Sequence, residues 1–209
     1  MTRSRILLAA ALLLPIAAWA DVLCALGSGA AAKAYKPESD QRPSDDTMKI
    51  VRRVNAALVP FCQPRCPEAA MLRNDTAANL MLTDSPDGAK LVYAPQFFAA
   101  AYGKFGEPAL IALIAHVYGH AIDETTRPTW LPANWNLELR ADGWAGCVLA
   151  KSNLPPASLA AAVSALAAYP PPSQTPWPPR AAALRLGFSH CGGETSQFDA
   201  ASRPINRAK

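Results

Sequence analysis

Two histidines, His116 and His120, stand four residues apart in a strongly apolar stretch, residues 107–123. The apolar side chains recur nearly all round at helical period, which predicts a helix buried on most of its faces. Residues four apart share one face of a helix, so both imidazoles point to the same side. Glu138 and Asp142 follow with the same spacing. The chain must therefore fold so that an apolar core accommodates these polar groups.

This spacing is typical of a metal site. Zinc takes nitrogen or oxygen donors at about 2.0–2.2 Å, and catalytic sites often combine two histidines, one glutamate and a water. We predict His116, His120 and Glu138 as ligands, with Glu138 on a second helix over residues 136–150. Asp142 is predicted to hold the far nitrogen of a ligand histidine and so fix its ring. For the histidine pair alone, the alternative is two hydrogen-bonded core histidines without metal.

The two motifs resemble HExxH and ExxxD of the gluzincin zinc metallopeptidases, in particular a compact bacterial exported or membrane-associated group. Residues 90–98 and 178–187 are similar to segments that flank the site there, so the resemblance covers roughly residues 46–190. It implies an α+β, zincin-like fold that is mostly helical, with a small antiparallel or mixed sheet packed on the metal-site helix. It also implies a Zn²⁺ cleft beside an edge strand that binds peptide. That strand would comprise Asn79, Leu80, Met81 and Leu82.

One residue departs from the motif, because Val117 stands where the peptidases place their general base. Valine cannot transfer a proton, and losing a positioned base costs about 10²–10⁴ in rate, or about 3–5 kcal/mol of barrier. Asp123 and Glu124 are candidate surrogates, with structural or solvated roles as the alternative. The leading hypothesis is a degenerate peptidase that keeps its zinc and binds a peptide or protein in the former cleft. The rivals are an active metalloendopeptidase that uses a surrogate base, and a disulfide-stabilised structural domain without metal.

The start of the chain has the pattern of a signal peptide, residues 1–20. Arg3 and Arg5 precede an apolar run, and Ala18-Trp19-Ala20 suits cleavage after Ala20. The run is shorter than the roughly 20 residues of a membrane span. We expect an exported protein, periplasmic or secreted, without a transmembrane span in the mature chain. Cleavage lowers the formal net charge from +4 to +2, too small a charge to favour nucleic-acid binding.

Composition divides the rest of the chain into three parts. Residues 21–45 lack periodicity and predict a flexible leader, residues 46–191 form one domain, and residues 192–209 predict a loose tail. Within the domain, short strands are predicted at residues 69–73, 79–83 and 90–94, with a turn at residues 85–88. Further helices are predicted from residue 46, from residue 95, and over residues 158–168 and 180–186.

All five cysteines follow the cleavage site. In an exported protein they are expected to form disulfides. Cys62 and Cys66 predict a local bridge, and Cys147 with Cys191 is a candidate second bridge. Cys24 would then remain unpaired in the leader, although the sequence alone does not fix this connectivity.

Overall fold

The structure is a computed structural model that describes residues 22–27, 35–67, 69–84, 88–171, 173 and 175–207. The protein is mostly helical (61%) with a small four-stranded mixed sheet, the α+β class that the sequence predicts. The predicted signal peptide lies outside these residues, as do residues 85–87 of the predicted turn. The strands are β1 (Val22–Leu26), β2 (Ala70–Arg73), β3 (Leu80–Thr83) and β4 (Lys90–Tyr93), and the helices are α1 (Asp45–Cys62), α2 (Pro95–Phe105), α3 (Glu107–Thr126), α4 (Leu137–Lys151), α5 (Pro156–Ala168), α6 (Trp177–His190) and α7 (Thr195–Arg207).

The strand order of the sheet is β1-β3-β4-β2. Both neighbours of β3 are antiparallel to it, whereas β2 runs parallel to β4. The sheet packs against α3 through β1 and β3. The sequence prediction that Asn79, Leu80, Met81 and Leu82 form an edge strand is therefore wrong, because β1 covers the side of β3 that β4 leaves open.

The prediction of a flexible leader over residues 21–45 is also wrong where the structure describes that segment. Residues 22–26 form β1 because their short apolar run has a sheet edge on which to pair and a core in which to bury. Further along, the side chain of Asn74 donates hydrogen bonds to the Lys36 carbonyl at 2.9 Å and to Asp40 Oδ1 at 2.8 Å. The strand and this clamp attach the segment to the domain.

Helices α3, α4 and α6 form the centre of the molecule. Gly119 lets α4 approach α3, since a Cβ there would lie 2.9 Å from Trp144 Cβ. Gly187 does the same for α4 and α6, where an added Cβ would meet the Gly143 carbonyl oxygen. Both predicted disulfides are confirmed. One links Cys147 to Cys191 at the end of α6, and the other is the local pair Cys62–Cys66.

The C-terminal segment is not the loose tail that the sequence predicts for residues 192–209. Residues 195–207 form α7, and Phe198 is buried against Phe188 with ring centroids 5.7 Å apart. Arg185 and Asp199 form an exposed ion pair between α6 and α7. The buried Phe198 and Ala201 are three residues apart, so one face of an otherwise polar helix is apolar.

In the part of the chain that the structure describes, no helix combines the length and hydropathy needed to cross a membrane. The two disulfides are compatible with an exported protein.

Candidate metal centre

The donor atoms of His116, His120, Glu138 and Cys24 all lie within 4.8 Å of one another. His116 Nε2 is 3.2 Å from Glu138 Oε2, and His120 Nε2 is 3.4 Å from the same oxygen. The three ligands predicted from the sequence are thus brought together by α3 and α4. Each of these residues offers an atom that binds divalent transition metals.

The start of α4 sets the position of Glu138. Asn136 caps this helix by accepting a hydrogen bond from the Leu139 amide at 2.9 Å. The cap places Glu138 in the first turn, where α4 faces the histidines of α3. Without a side chain at Gly119, the backbones of the two helices approach closely enough for one carboxylate oxygen to reach both rings.

Asp142 holds the ring of His116, as the sequence predicts. His116 Nδ1 lies 2.8 Å from Asp142 Oδ1, and neither side chain is exposed to solvent. This contact leaves Nε2 directed at Glu138, which is the orientation that a metal ligand needs. Asp142 is itself held by Arg180 of α6, through Nε to Oδ2 at 2.8 Å and a second nitrogen to Oδ1 at 3.0 Å.

Sequence reasoning missed Arg180. Its guanidinium is buried and also donates a hydrogen bond to the Leu166 carbonyl at 2.8 Å. It therefore joins α4, α5 and α6 around the site. Nothing local in the sequence distinguishes this arginine from a solvated one, because its partner is distant in the chain.

The charges around His116 offset the cost of burial. Burial alone would lower the pKa of the imidazole, but the Asp142 carboxylate together with the contacts to Cys24 and Glu138 outweighs burial and raises that pKa well above its usual value. Burial alone would raise the pKa of Asp142, yet His116 and Arg180 together hold it below its usual value. Asp142 is therefore a carboxylate whose charge is fully compensated within the core.

The site fits a metal ion in two further respects. His120 Nε2 is buried and lacks a hydrogen-bond partner among the described residues, although Glu138 lies close by. A buried polar atom without a hydrogen bond is costly, and an ion at this point would satisfy it. Two imidazoles, one carboxylate and one thiol also form a donor set suited to zinc.

Cys24 is the member of the cluster that the sequence analysis placed in a flexible leader. It is only 3% exposed and is not part of a disulfide. Burial alone would raise the pKa of its thiol, but contacts with His116 and His120 outweigh burial and lower it. Two signals in the sequence could have indicated such a role: the compact apolar run Val22–Leu26 and the odd number of cysteines in a protein that is predicted to be exported.

Among the described residues, Val117 and the two candidate surrogate bases, Asp123 and Glu124, place no proton-accepting group in the donor cluster. Val117 is fully buried in the hydrophobic core. Asp123 is held by Arg140, with nitrogen–oxygen distances of 2.6 and 2.9 Å, and it accepts a hydrogen bond from Trp144. Glu124 is exposed to solvent. Among the residues that the structure describes, neither acid joins the donor cluster.

A cleft of about 880 Å³ lies beside the cluster. His120 of the donor cluster forms part of its wall, and Glu124 and Trp135 also line it. Leu23 of β1 and Leu82 of β3 line the sheet side. The cleft is therefore bounded by the C-terminal half of α3, the loop that leads to α4, and the strand pair β1–β3.

Comparisons with protein-family models, with curated proteins and with solved structures found no match.

Proposed function

We propose that this protein is a zinc-binding, degenerate relative of the gluzincin peptidases, and that it binds an extended peptide or protein segment in the cleft beside the zinc. His116, His120 and Glu138 are the core ligands. The observation that carries the proposal is the convergence of these three donors around one point, with His116 fixed in ligand orientation by Asp142. The zincin-like character of the fold belongs to the same proposal.

Zinc in such a site supplies Lewis acidity, which polarises a carbonyl and lowers the pKa of a water. The residues of this chain are not arranged to use that acidity in hydrolysis. Val117 can neither accept nor donate a proton, and the nearby Asp142 and Asp123 are committed to Arg180 and Arg140. Asp142 in particular is a poor proton acceptor, because His116 and Arg180 lower the pKa of its carboxyl and protonation would leave the buried Arg180 charge uncompensated.

The cleft supports the binding part of the proposal. It is concave, adjoins the donor cluster, and combines apolar walls such as Leu82 and Trp135 with the exposed carboxylate of Glu124. Pockets with mostly apolar walls and a few directed polar groups are typical ligand sites. A segment bound there would pass close to His120 and therefore close to the zinc.

Metal analysis of untagged protein tests the zinc site. We expect about one equivalent of zinc in the wild type and less than about a tenth of an equivalent in Glu138→Ala and His120→Ala, since a ligand is lost in each. The matched control is His190→Ala, which removes an exposed histidine that stacks on Trp130 outside the cluster. Wild-type protein that binds no zinc even after reconstitution would overturn the proposal.

A casein cleavage assay tests the loss of hydrolysis. We expect no measurable cleavage by the zinc-loaded wild type. The wild type would instead be an active metalloendopeptidase with a surrogate base if it cleaves casein and if Asp123→Ala or Glu124→Ala abolishes the cleavage while zinc is retained. Folded protein that binds no metal would instead support the third hypothesis, in which the protein is a structural domain stabilised by disulfides.

A further inference from the structure

Strand β1 lies where an extended peptide would add to the sheet. It is antiparallel to β3, with Cys24 opposite Leu82 and Leu26 opposite Leu80. An extended segment that pairs with an open strand edge gains main-chain hydrogen bonds, and this is a common mode of peptide recognition. The chain itself therefore supplies the segment that fills this side of β3.

The register of β1 brings its cysteine to the histidines. The pairing shifts between Val22 and Cys24, so two steps along β1 oppose a single step along β3. Such an irregularity re-aims the side chains beside it. Here Leu23 is 52% exposed at the cleft, whereas Cys24 is buried with its sulfur within 4.8 Å of the other three donors.

The two ends of β1 are held differently. At the C-terminal end, the Asn79 side chain donates hydrogen bonds to the carbonyls of Leu26 at 2.9 Å and Gly27 at 2.6 Å. The Gly27 amide also donates to the Pro170 carbonyl at 3.0 Å. At the N-terminal end, the side chains of Val22 and Leu23 are both about half exposed (51% and 52%). Within the described residues, this end is less buried than Cys24–Leu26, and the pairing with β3 and the burial of Cys24 hold it.

We propose that β1 is a built-in occupant of the peptide site, with the Cys24 thiolate as the fourth zinc ligand. In the open state, Val22–Cys24 separate from β3 while Asn79 still holds Leu26. This movement frees one coordination position at the metal and also exposes the edge of β3. The incoming ligand is an extended peptide segment that pairs with β3 and places a donor atom at the metal. The exchange would break the coordinate bond from Cys24 Sγ and form one from the incoming donor, and the released thiolate would take up a proton from solvent. This inference rests on the proposed zinc site and deepens it.

Cobalt(II) substitution tests the ligand role of Cys24. A thiolate ligand gives cobalt(II) a near-ultraviolet sulfur-to-metal charge-transfer absorption. We expect this band in the wild type and its loss in Cys24→Ala and Cys24→Ser, with cobalt still bound by the remaining donors. The matched control Val22→Ala changes an exposed residue of the same strand and is expected to keep the band. The other four cysteines are disulfide-bonded, so Cys24 is the one available source of the signal.

Binding of azide to the cobalt then reports the open position. We expect azide to change the visible spectrum of Cys24→Ala but not that of the wild type. Wild-type cobalt protein without the charge-transfer band, or with azide binding equal to that of Cys24→Ala, would overturn the inference. If the wild type takes up neither cobalt nor zinc, the proposed function fails as well. If metal uptake depends on Glu138 but the cobalt spectrum lacks a thiolate band, only the ligand role of Cys24 is refuted and the proposed zinc site stands.

A labelled synthetic peptide with the sequence of residues 21–27 tests the occupancy of the β3 edge. We expect zinc-loaded Cys24→Ala to bind it about tenfold or more tightly than the wild type, because apparent affinity rises with the fraction of molecules in the open state. A peptide of scrambled sequence is the control and is expected not to bind. Equal binding of the cognate peptide to wild type and variant would contradict the role of β1 as the occupant.

Discussion

The proposed ligands of the candidate metal centre come from two regions that are held in the fold in different ways. His116, His120 and Glu138 belong to α3 and α4, which approach closely at Gly119, and a buried ion pair and a disulfide attach α4 to α6. Cys24 belongs to a five-residue strand at one edge of the sheet.

The two regions are therefore expected to differ in how easily they open. Elements with many buried contacts open only with most of the protein, whereas short edge strands that are partly exposed open locally at lower free energy. In our proposal the helices therefore preserve the three-donor site, and β1 is the part able to leave it.

The largest effect is expected from Asp142→Asn. The variant leaves the Arg180 charge buried without its carboxylate partner, which costs about 3–5 kcal/mol of unfolding free energy. It also removes the charged group that orients His116, so zinc affinity should fall about 10–100-fold. Chemical denaturation and competition with a chelator measure the two effects. Asp199→Asn, in the exposed pair with Arg185, is the control and should change neither. A stable Asp142→Asn with normal affinity would show that the helices are held by other contacts.

The two disulfides should differ in their contribution to stability. Replacing Cys147 and Cys191 by alanine releases a cross-link that spans 44 residues, whereas the pair Cys62 and Cys66 spans 4. The chain-entropy relation then gives losses of about 4 and about 2 kcal/mol respectively. Urea denaturation of the two double variants measures the difference. Equal losses would mean that the long-range bridge adds little to the attachment of α6 to α4.

The helical side of this contrast was largely predictable from the sequence, and the strand was not. His116, His120, Glu138 and Asp142 carry a periodic signal, because helix geometry converts a spacing of four residues into one face. The same rule predicted that the three helical donors converge and that Asp142 holds the ring of His116. Cys24 reaches the site only through pairing with β3, and no local pattern encodes which strand a short apolar run will join.

The role of Arg180 and the central position of β3 were not predictable for the same reason, because both depend on residues that are distant in the sequence. The arginine acts through an aspartate 38 residues away, and the central place of β3 depends on a segment more than 50 residues earlier in the chain. The C-terminal helix was missed for another reason, since its polar composition conceals a single apolar face that includes Phe198.

Removal of zinc should loosen β1 selectively. We expect backbone amides of β1 to exchange with solvent about tenfold or more faster in chelator-treated protein, because zinc then no longer stabilises the closed strand. Amides in the middle of α4, such as those of Trp144 and Val148, are the internal control and should change little. Hydrogen-exchange mass spectrometry on peptides that cover the two regions measures the effect. Loosening of α4 to the same extent would show that the helices also depend on the metal.

The smallest effect is expected from Leu23→Ala. This side chain is 52% exposed at the cleft, so its truncation should alter the free energy of unfolding by no more than about 0.5 kcal/mol, as for other surface substitutions. Leu186→Ala, at a leucine 37% exposed on α6, is the matched control from the helical region. A loss well above 1 kcal/mol in Leu23→Ala alone, measured by thermal denaturation of zinc-loaded protein, would mean that packing of Leu23 also holds the N-terminal half of β1. Strand pairing and Cys24 would then no longer account for its attachment, and the energetic separation between strand and helices would narrow.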